Sequence, residues 1–167
     1  MRAVPEVSRT FAADLRSVGE ARRFLRDALT GWGTDGYDLG APQVLTELAT
    51  NAALHARSDY TVHVRLDVGS LLVEVSDSSP VRPHQPRYGD DATTGRGIAM
   101  VEALSRTWGV QAGPTGKTVW SMVVPDDQVL LGTDDGVVAS PLRPAALPGR
   151  RATRRTGGAG RATVLAA

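Results

Sequence analysis

The sequence contains no cysteine, which excludes a disulfide framework and any cysteine-ligated metal site and suits a reducing compartment. It has no charge imbalance to speak of. Nineteen Lys and Arg stand against eighteen Asp and Glu, a net charge of +1, so no global field draws the chain to nucleic acid or to an anionic membrane. Long apolar runs are missing too: none approaches the roughly 20 residues that a membrane-spanning helix needs. The opening MRAVPEVSRT has no apolar core of the kind a signal peptide carries. There is no internal repeat. These absences lead to the expectation of a cytoplasmic, soluble protein with no membrane and no direct nucleic-acid partner. What is present is ordinary for such a protein: 41% hydrophobic and 22% charged residues in a chain of 167, enough for one domain with a core.

Composition changes near Pro125. Before it, apolar periodicity is nearly continuous; after it come DDQVLLGTDDG and then PLRPAALPGRRATRRTGGAGRATVLAA, which has no acidic residue. This division predicts a folded domain over residues 8–125 and a disordered Pro/Gly/Ala/Arg-rich tail over 126–167, because the tail offers too little apolar surface to offset its chain entropy.

Within the domain, residues 8–13 suit a short edge strand. Ser17-Val-Gly-Glu20 has the form of a capping box, and the helix after it places Ala21, Phe24, Leu25 and Ala28 on one face with Arg22, Arg23 and Arg26 outside. Gly31 and Gly33 end it. A second helix runs from about Leu39 to His55. YTVHVRL alternates, DVGS turns the chain, and Leu71, Val73 and Val75 line one face of a second strand, which predicts a hairpin with one buried face. From Ser76 to Arg96 periodicity stops, and a loop of that length inside a domain is usually functional. A helix resumes at Gly97, with Ile98, Val101 and Leu104 at three-residue steps, and TWGVQA, GPTG and KTVWSMVV form another hairpin. The order β-α-α-β-β-loop-α-β-β predicts an α+β two-layer sandwich, a largely antiparallel mixed sheet with helices on one face.

Four places carry polar chemistry. On the second helix Val44, Leu45, Leu48 and Ala52 form the buried stripe, while Glu47 and Asn51, at i and i+4, are neighbours on another face among small alanines. A solvated polar face would look the same. A carboxylate and a carboxamide oxygen one turn apart are also what a hard cation or an attacking hydroxyl needs. Asp77 continues the parity of Leu71, Val73 and Val75, so it is either a turn-initiating residue or an inward carboxylate waiting for a donor. TTGRG opens a helix, where Gly95 and Gly97 allow an anion to approach the backbone amides; a glycine-assisted turn is the plain alternative. The Gly-Lys-Ser/Thr of a P-loop is absent. Thr118 shares a face with Trp120 and Met122, and points inward if that face is the buried one.

In this order the four resemble the ATP-binding domain shared by gyrase, sensor histidine kinases and heat-shock chaperones, the GHKL or Bergerat fold. Glu47-Leu-Ala-Thr-Asn51-Ala-Ala-Leu-His55-Ala looks like its N box, Asp77-Ser-Ser-Pro like its G1 box, and Thr94-Gly-Arg-Gly97-Ile like its G2 box. With GKTVW and no dimerisation or phosphoacceptor-histidine helices, the chain is most similar to the anti-sigma-factor serine/threonine kinase branch in its actinobacterial form. The resemblance covers about residues 8–125 and implies a histidine kinase-like ATPase fold with ATP and Mg²⁺ as ligands. By the same resemblance Asn51 ligates Mg²⁺, Glu47 is the general base or positions the attacking hydroxyl, and Asp77 accepts from the adenine amino group with support from Thr118. Gly95, Arg96 and Gly97 wrap the phosphates, and residues 80–94 form the lid. The implied partners are a sigma factor and an anti-sigma-factor antagonist, and the resemblance allows a homodimer.

One position departs from the pattern. The usual G1 box reads Asp-x-Gly-x-Gly, and here Ser79 stands in place of the first glycine while the second is absent; a positive φ at that position would cost Ser more than Gly. Two functions follow. One is a kinase that phosphorylates the antagonist, motivated by Glu47. The other is a nucleotide-dependent anti-sigma binding module without kinase activity, motivated by the altered G1 box. A detached histidine-kinase catalytic domain is a weaker third, because His55 lies inside the N-box helix.

Overall fold

The computed structural model describes residues 4–55, 58–79, 94–130 and 163–164, with backbone only for residues 55, 94–96, 130 and 163–164. The elements are β1 (Glu6–Phe11), α1 (Leu15–Trp32), α2 (Gly40–His55), β2 (Tyr60–Asp67), β3 (Ser70–Asp77), α3 (Thr94–Leu104), β4 (Ser105–Gly113), β5 (Gly116–Val123), α4 (Asp126–Leu130) and β6 (Thr163–Val164). The order of the first eight is the expected one, and the class is α+β. The sheet runs β4-β5-β3-β2-β1-β6. Every pairing among the described residues is antiparallel, so the expected mixed character is not seen there. The short β6 lies beyond β1, outside the strand expected at the edge. The remainder of the predicted tail, residues 131–162 and 165–167, is outside the described residues.

The strand β3 lies between β2 and β5 and is buried on both faces. Leu71, Val73 and Val75 join the core under the helices. Leu72 and Glu74, on the other face, are 2% and 3% exposed. The expected hairpin with one buried face therefore holds for β2, where Tyr60, Val62 and Val64 are buried and their neighbours half-buried, but not for β3. A central strand has neighbours on both sides whose long side chains close over it. Glu74 stands opposite Trp120 on β5 and His63 on β2, and His63 Nδ1 lies 2.5 Å from its carboxylate, which meets the need of a buried charge for a partner.

Helix α2 packs on β2, β3 and β5, with α1 and α3 on either side of it. Val44, Leu45, Leu48, Ala49 and Ala52 are all buried, because a helix flanked by two others must bury more than one stripe. Helix α1 starts earlier than expected. Asp14 is its N-cap and accepts from the Arg16 N–H at 2.9 Å. Ser17 is instead buried, its Oγ 2.6 Å from the Asp14 carbonyl oxygen and 2.7 Å from the Tyr60 hydroxyl. Gly33 ends the helix at φ 66°, in the left-handed region glycine enters without penalty. Gly31 lies inside the last turn.

The start of α2 is held from the far end of the domain. Asp126 accepts from the Leu39 and Gly40 N–H groups at 3.0 and 2.9 Å, and its own N–H donates to the Gly36 carbonyl at 2.8 Å. These amides have no partner within the helix, and a carboxylate also suits the positive end of the helix dipole.

Candidate functional site

Glu47 and Asn51 leave α2 one turn apart, Glu47 half-buried and Asn51 exposed. Opposite Glu47 stands Gly97, buried on α3. A Cβ placed on Gly97 would lie 3.1 Å from Cδ of Glu47 and would collide with its Oε2. The carboxylate rests in the space a Gly97 Cβ would take, so a side chain at 97 would require it to swing away. Two motifs fifty positions apart in sequence are thereby brought into contact.

Helix α3 begins at Thr94, three residues before the expected start. Gly95, Arg96 and Gly97 are thus its first turn rather than the approach to it. The N–H groups of a first turn lack intrahelical acceptors, and together with the helix dipole they favour an anion. Glu47 sits beside this turn. The lid expected at 80–94 falls almost entirely outside the described residues, as does the His55 side chain.

Asp77 ends β3 with its side chain on the helix-bearing face, as its parity requires. It is 7% exposed. Its Oδ1 accepts from the Ser79 N–H at 3.0 Å, and its Oδ2 lies 2.8 Å from Nζ of Lys117. Ser79 is itself buried. The strand carrying Lys117 approaches closely because Gly116 precedes it: a Cβ there would strike the Asp77 carbonyl oxygen and lie 2.8 Å from Cα of Ser78.

Thr118 is placed differently from the expectation. Asp77 pairs with Lys117 and Ser76 with Thr118, so Thr118 is on the opposite face of the sheet from the Asp77 side chain. Its hydroxyl is 2.7 Å from Ser76 Oγ. Trp120 and Met122 share that face with it, while Val119 and Val123 belong to the helix side and pack with the core. Lys117 is the residue sequence reasoning missed. The signal was available: Lys117, Val119, Ser121 and Val123 have one parity, and placing the two valines in the core places the lysine beside Asp77.

Among the described residues no group of three or more His, Asp or Glu is arranged to hold a metal ion. The Asn51 carboxamide is exposed, one turn from Glu47. A separate cleft between α1 and the start of α2, lined by Arg22, Arg23, Arg26 and Asp38, contains none of these residues. No described helix is long and apolar enough to cross a membrane.

Residues 11–123 match the family model of the histidine kinase-like ATPase domain. No curated protein matches the chain.

Proposed function

Since the chain belongs to the histidine kinase-like ATPase domain family, we propose that it is a cytoplasmic ATP-binding regulatory protein. In this reading it transfers the ATP γ-phosphate to a serine or threonine of an anti-sigma-factor antagonist and so governs a sigma factor. The observation that carries the proposal is the contact of Glu47 with Gly97. It puts a carboxylate at the helix start where the phosphates would lie.

Each residue then has one task. The first-turn amides of α3, at Thr94 to Gly97, hold the phosphates. Asn51 offers its carboxamide oxygen to Mg²⁺, which when bound offsets the charge of the triphosphate. Asp77 receives the base at the floor of the site. Glu47 accepts the proton of the attacking hydroxyl as that oxygen bonds to the γ-phosphorus. The bond from phosphorus to the β-γ bridging oxygen breaks, and ADP leaves. Positioning and charge stabilisation supply most of the acceleration in such a transfer. Thr118, bonded to Ser76 on the other face, has no task here.

A second reading keeps ATP binding and drops the transfer, leaving a module that sequesters its partner according to the bound nucleotide. The buried Ser79 in place of the G1 glycine favours it.

Calorimetric titration with ATP, with and without Mg²⁺, tests the binding. Mg²⁺-dependent binding that Asn51→Ala abolishes is the expected result. Absence of binding at millimolar ATP, an affinity weaker than about 4 kcal/mol, would remove both readings. Phosphate transfer to a cognate antagonist then separates them, and Glu47→Gln should bind ATP without transferring. Transfer undiminished in that variant removes the base assignment.

A further inference from the structure

Lys117 is the only lysine in the sequence; the other eighteen basic residues are arginine. It lies at the start of β5, its side chain 15% exposed, with Nζ 2.8 Å from an Asp77 carboxylate whose side chain is 2% exposed. Burying such a pair brings little net stability, because desolvation offsets most of the attraction. Its position is more telling than its energy. On the reading of Asp77 as the residue that meets the base, on which this inference rests, Lys117 meets the base as well.

A buried carboxylate alone accepts a hydrogen bond from an exocyclic amine and repels a carbonyl oxygen. It selects a 6-aminopurine largely through the cost of the wrong partner. Lys117 changes that balance. An ammonium has three donors and a carboxylate has about four lone-pair sites. The ion pair uses one of each, and the Ser79 N–H uses one more lone pair. A donor and an acceptor therefore remain side by side. Adenine can give its amino hydrogen to Asp77 and take a hydrogen bond at N1 from Lys117. A 6-oxopurine can take one at O6 from Lys117 and give its N1 hydrogen to Asp77. The compact ammonium does this with a freely rotating set of donors, which the rigid guanidinium fork used everywhere else in the chain does not offer.

We propose that Lys117 and Asp77 together form a donor–acceptor pair that admits 6-oxopurine as well as 6-aminopurine nucleoside triphosphates, so that GTP competes with ATP for one site.

The test is equilibrium binding of ATP and of GTP to the full chain with Mg²⁺, in the wild type and in Lys117→Met, which keeps an unbranched stem and removes the donor. In the wild type the two affinities are expected within about tenfold of each other. In Lys117→Met, GTP and ATP binding should each fall by at least about tenfold, the usual loss for a hydrogen bond to a charged group, because each base loses the bond that Lys117 donates. A variant that binds either nucleotide as tightly as the wild type overturns the proposal. A second readout needs no variant. A lysine-selective acylating reagent has one side chain to modify, and mass spectrometry should show that ATP and GTP each protect it. Wild type that binds ATP but not GTP, with protection by ATP alone, overturns the proposal and leaves nucleotide binding standing. A gain in ATP affinity in Lys117→Met also overturns it, because Lys117 would then be a plug. Failure of both nucleotides to bind or protect removes the underlying reading too.

Discussion

Gly97 on α3 and Glu47 on α2 meet with no room for one further carbon: a Cβ on the glycine would overlap Oε2 of the carboxylate and sit 3.1 Å from its Cδ. The relationship ties Glu47, the proposed base, to the packing of two helices, so it can be read out through stability as well as activity.

Gly97→Ala should gain less than the up to about 1 kcal/mol that alanine's better helix preference offers, because the Glu47 carboxylate, the far end of a flexible side chain, must swing aside for the new methyl. In a Glu47→Ala background nothing has to move, and the same substitution should give the full gain. A urea-denaturation double-mutant cycle reads the difference. Equal effects in both backgrounds would show that the two residues do not touch.

Gly116→Ala has no such remedy, since the atoms in its way are backbone: the Asp77 carbonyl oxygen and Cα of Ser78. It should cost about 2 to 3 kcal/mol, at the upper end for a single substitution, and should loosen the Asp77–Lys117 pairing at the end of the strands. Gly19, within α1 and with nothing inside 4 Å, is the control. Gly19→Ala should stabilise by up to about 1 kcal/mol. Denaturation midpoints that move together for the two variants would contradict this account.

The element order was readable because apolar spacing switches cleanly between helix and strand periods, and the apolar stripe of α2 was right residue by residue. The misreadings have two causes, contact across long sequence separation and a strand apolar on both faces. Ser17 and Glu20 fit a capping box, yet Ser17 is drawn inward to Tyr60, forty-three positions away, and Asp14 caps in its place. On β5 both faces carry apolar side chains, Trp120 and Met122 against Val119 and Val123, so alternation alone did not say which face meets the helices. Assigning Thr118 to the Asp77 side, rather than Lys117, followed from that ambiguity. The Asp126 contact with the start of α2 has no local signature at all.

Asp126→Ala should lose two charge-assisted hydrogen bonds to the Leu39 and Gly40 amides. Capping losses of this kind run to about 1 to 2 kcal/mol. Since α2 carries Glu47 and Asn51, ATP affinity should weaken in step. Asp126→Asn keeps one acceptor oxygen and should fall between. A thermal midpoint equal to the wild type in Asp126→Ala would show that residues past Pro125 do not brace the domain.

Alkaline pH tests the other end of α1. Burial raises the Tyr60 hydroxyl above its ordinary value of 10.0, with the hydrogen bond to Ser17 drawing it part of the way back. Burial also raises Tyr37. Both groups hold their protons more tightly folded than unfolded. Their contribution is therefore complete below the unfolded pKa of about 10 and is lost as pH rises through that value towards the folded one. Tyr60→Phe should cost about 1 kcal/mol at neutral pH for the lost hydrogen bond. Ser17 Oγ still has the Asp14 and Ala12 carbonyl oxygens, at 2.6 and 2.8 Å, to donate to. The variant should also flatten the fall in stability above pH ~10, and Tyr37→Phe/Tyr60→Phe should flatten it further. Urea midpoints collected across that range decide the matter. A fall as steep in the double variant as in the wild type would mean that neither hydroxyl is linked to folding.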